Sequence, residues 1–241
     1  MVWPLLRRGL VCGVLAGLMA GVFAFVVGEP LVQDAIDIEN ASASLTPLAH
    51  ISEWTVSRGE QRGGLFLATA LYGACVGMLF TLAFAVLRGR TGVRDDWQLS
   101  VRVAGALFLA LVLVPWLKYP ANPPAVGDPD TIGQRTWTYV VLLGGTAAAL
   151  VAAWRVGAGV AAAAPWRRPL AAGATFVVLV VVLVVALPGV DEVPDGFPAS
   201  LLWEFRLSAL GTQAVLWAVL GVAYGIASVR AASAPAPAMA R

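Results

Sequence analysis

Six long apolar runs divided by short polar segments set the pattern of this chain, at about residues 9–28, 64–87, 101–117, 137–154, 170–187 and 207–229. Each is close to the roughly 20 apolar residues that carry a helix across about 30 Å of hydrocarbon. The pattern predicts an all-α integral membrane protein, with residues 1–230 as one six-helix transmembrane domain. The tail, 231–241, has Pro235 and Pro237 among alanines and reads as a disordered cytoplasmic extension. Composition agrees. Hydrophobic residues make up 59% and charged residues 12% of the 241, with mean hydropathy +0.81, whereas a soluble domain is about one quarter charged.

Charge is sorted between alternate polar segments. Counting the N-terminus as the first inner segment, one set carries Arg7, Arg8, Arg88, Arg90, Arg94, Arg102, Arg155, Arg167, Arg168, Arg230 and Arg241, against the acids Asp95 and Asp96. The other set holds Glu29, Asp34, Asp37, Glu39, Glu53, Glu60, Asp128, Asp130, Asp191, Glu192, Asp195 and Glu204, against Arg58, Arg62, Lys118, Arg135 and Arg206. Because Lys and Arg are retained on the cytoplasmic side, both termini are expected inside and the acidic loops outside, in a multi-pass cytoplasmic (inner) membrane protein. The net charge of +2 averages two opposite faces and says little about nucleic acid.

Glycines fall one per turn in the first run, at Gly9, Gly13, Gly17 and Gly21, and the spacing returns at Gly73/Gly77 and Gly221/Gly225. Such stripes let helix backbones approach closely, so the second and sixth helices are the expected partners of the first. Arg7-Arg8 before an apolar stretch also describes a signal peptide, but this run exceeds the usual 7–15-residue apolar region. The stripe argues for a permanent span. Cys12 lies near one end of its run and Cys75 nearer the middle of another, so a disulfide between them is not expected.

The runs group into three hairpins of helix, outer loop and helix. Prolines mark the outer end of each first helix, at Glu29-Pro30, Pro115-Trp116 and Pro188-Gly189. Each second helix is expected to begin just after an arginine: Arg62, Arg135 or Arg206. Arginine at the outer edge runs against the positive-inside bias, so these three are read as structural, paired with loop carboxylates.

Chemistry is left to the outer loops. Within 30–40, Leu31, Ala35 and Ile38 recur at helical spacing beside Asp34 and Asp37, which predicts a short amphipathic helix at the outer surface. The same loop carries His50, the one histidine of the chain. The second loop has prolines at 120, 123, 124 and 129 and cannot be helical throughout. The third, from Pro188 to Phe205, is a shorter loop of similar type with Asp191, Glu192 and Asp195. Glu29, Asp34, His50, Asp128 and Asp130 are the candidate metal ligands, since the prolines reduce the entropy lost on fixing a loop around an ion.

Other chemistries are excluded. Lys118 is the one lysine and no phosphate-binding G-x-x-x-x-G-K-[ST] motif exists, so no ATP hydrolysis by this chain is expected. A single histidine rules out the common zinc hydrolase patterns. No ionisable side chain lies squarely mid-span, which argues against a proton relay. No catalytic role is expected.

Several segments together are similar to one family. Arg7-Arg8-Gly9-Leu10 leading into the glycine stripe, Gly28-Glu29-Pro30 with Asp34-Ala35-Ile36, and Ser57-Arg58-Gly59-Glu60-Gln61-Arg62 are three of them. The loop from Leu117 to Arg135, and Gly196-Phe197-Pro198-Ala199 with Leu202-Trp203-Glu204-Phe205-Arg206, complete the set. Over about residues 5–229 the chain resembles the CbtA family, regarded as the membrane subunit of a proposed cobalt transporter linked to cobalamin synthesis. The resemblance implies Co²⁺ as transported ion, no nucleotide, and a small single-span partner, CbtB. Members often carry several histidines in the first outer loop. Here His50 stands alone, so a histidine cluster would have to come from the partner chain. The carboxylate-rich set suits Co²⁺ but equally Mg²⁺, Mn²⁺ or Ca²⁺. A second reading, a non-transporting scaffold docking a protein through rigid outer loops, fits the same residues, and a homo-oligomer is compatible with either.

Overall fold

The computed structural model describes residues 2–43, 57–124, 126–161 and 164–233, and among them it is helical with no strand. The helices are α1 (Val2–Phe23), α2 (Glu29–Ala43), α3 (Arg58–Leu87), α4 (Asp96–Phe108), α5 (Val114–Lys118), α6 (Ile132–Gly159), α7 (Arg167–Ala186) and α8 (Ala199–Ser233). Six helical stretches are long and apolar enough to cross a membrane: Trp3–Ala41, Arg58–Leu87, Asp96–Lys118, Ile132–Gly159, Arg167–Ala186 and Ala199–Ser233.

Prolines act differently at the three marked positions. Before Pro30 the helix widens into a π turn, Ala24–Gly28, with the Glu29 amide donating to the Ala24 carbonyl. Before Pro115 the same happens over Leu109–Leu113, with the Val114 amide donating to Leu109. A proline inside a helix has no amide to donate and its ring crowds the carbonyl four residues back; a π turn relieves that crowding without ending the helix. The expected ends at Pro30 and Pro115 are therefore continuations, and the predicted amphipathic segment 30–40 forms as α2, extending α1. At Pro188 the helix does stop. Leu187 turns extended (φ −84°, ψ 143°), as the residue before a proline tends to do.

The arginine-marked helices also begin earlier than expected. α3, α6 and α8 start at Arg58, Ile132 and Ala199, so Arg62, Arg135 and Arg206 lie within the helices. Glu60-Gln61, Gln134 and Leu202–Glu204 are adequate helix formers, and helix formation runs past the apolar stretch.

Two compact units can be described separately. The first comprises Met1–Val22, Gly59–Gly105 and Ala214–Arg241. Here the α1 stripe lies directly on α3. A Cβ built on Gly73 would come 2.7 Å from the Gly17 Cα, and one on Gly77 2.7 Å from the Gly13 Cα. On Gly9 it would meet the Gly77 carbonyl and the Thr81 hydroxyl, and on Gly21 the Thr69 side chain. The glycines of α8 face α4 instead. Cβ atoms there would approach Ala104 Cβ from Gly221 at 2.7 Å and Trp97 Cε3 from Gly225 at 2.8 Å, and Ser100 Oγ donates to the Gly221 carbonyl at 2.7 Å. Tyr224, fully buried, takes Phe80 and Phe84 edge-on at centroid distances of 5.2 and 5.0 Å. Arg8 lies over its ring at 5.8 Å and donates to Ser228 Oγ at 3.0 Å. Cys12 is buried, Cys75 is exposed, and both are free.

The second unit comprises Phe23–Arg58 and Ala106–Gln213. Its main helix pair is α6 and α7, which the short connection 160–166 makes antiparallel neighbours. Gly157 faces Ala172 and Arg168, while Gly145 faces Leu183. Ala110, Val114, Ala149, Ala153 and Phe176 form its apolar core. Alanines at three of these five positions let the backbones close around a single phenylalanine. Phe176 is the one buried residue of α7; Val177, Val178, Val181, Val182 and Val185 are all exposed. An apolar helix this exposed needs hydrocarbon around it.

Candidate functional site

The polar chemistry of the second unit gathers where its helices give way to connecting segments. α2 opens with Glu29, whose Oε1 pairs with Arg58 Nη2 at 2.5 Å. Arg58 Nε donates to Gln33 Oε1 at 3.1 Å, and Gln33 Nε2 to Asp37 Oδ1 at 2.9 Å. Helical spacing explains the chain of contacts: 29, 33 and 37 are four residues apart and share one face of α2. Asp34 lies exposed off that row. His50 lies outside the described residues.

The α5–α6 connection is held by its own turns and by a neighbour. The Asp130 amide donates to Asp128 Oδ1 at 2.9 Å, and the Thr131 hydroxyl to the Asp128 carbonyl at 2.9 Å. Arg135, in the first turn of α6, pairs with Glu192 at 2.9 Å. Arg206 reaches across to Asn122 Oδ1 at 2.9 Å, and its backbone carbonyl accepts from Trp116 Nε1 at 2.9 Å. Of the three arginines expected at the outer edge, then, Arg135 meets a carboxylate and Arg206 an amide oxygen. Arg62 lies in the early part of α3, within the other unit.

Four of the five candidate ligands, Glu29, Asp34, Asp128 and Asp130, lie among the described residues. Among the described residues no group of three His, Cys, Asp or Glu side chains is placed to hold a metal ion. Glu29 is committed to Arg58, and Asp128 to the Asp130 amide. Asp128 and Asp130 are both exposed. Four residues outside the candidate ligands and the three edge arginines take part here: Arg58, Asn122, Thr131 and Glu192. Their partners lie up to 84 residues away in the chain, beyond any local spacing signal. The Glu29/Gln33/Asp37 spacing was the one local clue, and it points to where Arg58 docks.

No curated protein and no solved structure matches this chain. A family model does, the one described as "Probable cobalt transporter subunit (CbtA)", over residues 3–228. With nearly its whole length matched and six helices long and apolar enough to cross a membrane, the chain belongs to the CbtA family of probable cobalt transporter subunits.

Proposed function

We propose that the protein is the multi-pass inner-membrane subunit of a transporter for cobalt, or a related divalent metal, serving cobalamin synthesis. Family membership over residues 3–228 carries this reading. Both termini are inside, and the acidic connections face outward, as the distribution of Arg and Lys requires. Glu29, Asp34, His50, Asp128 and Asp130 attract the divalent cation at that face. A small single-span, histidine-rich partner supplies the imidazoles that this chain lacks, since a borderline cation such as Co²⁺ favours nitrogen over carboxylate alone. The chain itself performs no catalysis.

Replacing Asp128 by Asn or Glu29 by Gln should depress cobalt-dependent cobalamin synthesis at limiting cobalt, with rescue by excess metal and a milder effect for His50→Ala. Normal cobalt accumulation in a Glu29→Gln/Asp128→Asn/Asp130→Asn variant at wild-type membrane levels would remove these residues from the pathway. One observation favours the scaffold reading: Glu29 and Asp128 already have protein partners, and no three-ligand group forms among the described residues. A scaffold would leave cobalt accumulation unchanged when it is deleted.

A further inference from the structure

Two connections far apart in sequence meet at one carboxylate. Glu192, in the α7–α8 connection, has a side chain only 11% exposed. Its Oε2 accepts from Arg135 Nη1 at 2.9 Å and from the Asp128 amide at 3.2 Å, while its Oε1 accepts from the Thr131 hydroxyl. All three donors belong to the α5–α6 connection or the first turn of α6. Arg135 is also held from behind. Its Nη2 donates to the Asp128 carbonyl at 3.3 Å, and Gly127 leaves room for the guanidinium, since a Cβ there would come 2.6 Å from Nη1. Gly127 also has φ +133°, a backbone conformation that favours glycine. The starts of the same two connections are tied by the Tyr119 hydroxyl, which donates to the Pro188 carbonyl at 2.6 Å.

These bonds run between connections, so neither can shift alone without breaking contacts in the other. An ionised carboxylate with three donors is among the stronger ties available to a loop. At the flanks the backbone leaves helical geometry. Tyr119 leaves α5 at φ −131°, ψ 74°, Leu187 leaves α7 extended, and Gly196 precedes α8 at φ +84°.

We propose that residues 126–131 of the α5–α6 connection and the α7–α8 connection form a single lid, pinned at Glu192, that moves as one body at its end of the helices. That this end faces outward, and that the lid thus bears on cation entry, rests on the orientation proposed above; the coupling between the two connections does not. Hydrogen–deuterium exchange on the purified full-length chain in lipid nanodiscs tests it. Glu192→Gln should speed exchange on the order of tenfold in peptides carrying Asp128 and Thr131 as well as in those around residue 192. Arg135→Gln should in turn speed exchange in peptides spanning 189–197. Faster exchange confined to the substituted connection in both variants would overturn the proposal. Should Glu192→Gln fail to fold, Thr131→Val removes one donor, leaves the ion pair in place, and must still loosen the peptides around residue 192.

Discussion

Gly73 lies so close to Gly17 that a methyl group on it would fall 2.7 Å from the Gly17 Cα. Because the obstacle is backbone, relief requires the two helices to separate. Gly73→Ala should cost about 1–3 kcal/mol, the usual range for overpacking, and Gly73→Leu should prevent stable folding. Gly64, in the same helix with open space around it, is the control: Gly64→Ala should be neutral, or stabilising by up to about 1 kcal/mol through helix propensity. Thermal unfolding of the solubilised variants separates the two. Equal losses at 64 and 73 would contradict close α1–α3 packing.

The Glu29–Arg58 pair is short at 2.5 Å but partly exposed, with side chains 14% and 30% accessible. Solvent screening limits its worth to about 1 kcal/mol or less. Arg58→Ala should lower the unfolding temperature modestly at low salt, and the difference from the parent should shrink in about 1 M salt, where the screening length is about 3 Å. A salt-independent loss would mean that Arg58 acts through packing of its stem.

These two cases show what sequence can convey. Six long apolar helices follow from hydrophobic length, and a glycine every fourth residue is visible to the eye. Which helix a stripe faces is not: Gly221 and Gly225 share the spacing and lie on α4. The prolines were visible as interruptions, yet the backbone absorbs Pro30 and Pro115 with π turns and stops only at Pro188. Site residues were least legible. Charge sorting gathers the acids on one set of connections, but the side chain that collects the donors there, Glu192, is one acid among twelve in that set. Its donors are chosen by tertiary contact, not by spacing.

Orientation can be read by labelling. In a Cys12→Ala/Cys75→Ala background, Ala43→Cys, Ala121→Cys and Ala199→Cys should react with a membrane-impermeant maleimide applied outside intact cells. Thr91→Cys and Ala232→Cys should react only after permeabilisation. The reverse pattern would invert the topology and place the lid inside.

Metal accumulation bears most directly on the central claim. In cells lacking other cobalt importers and expressing this chain with the proposed histidine-rich partner, radioactive cobalt at limiting concentration should accumulate well above the empty-vector level. That accumulation should fall back when the chain is omitted and the partner is kept. Accumulation equal to the empty vector, with the protein present in the membrane at normal levels, would contradict the transporter reading and leave the chain a scaffold.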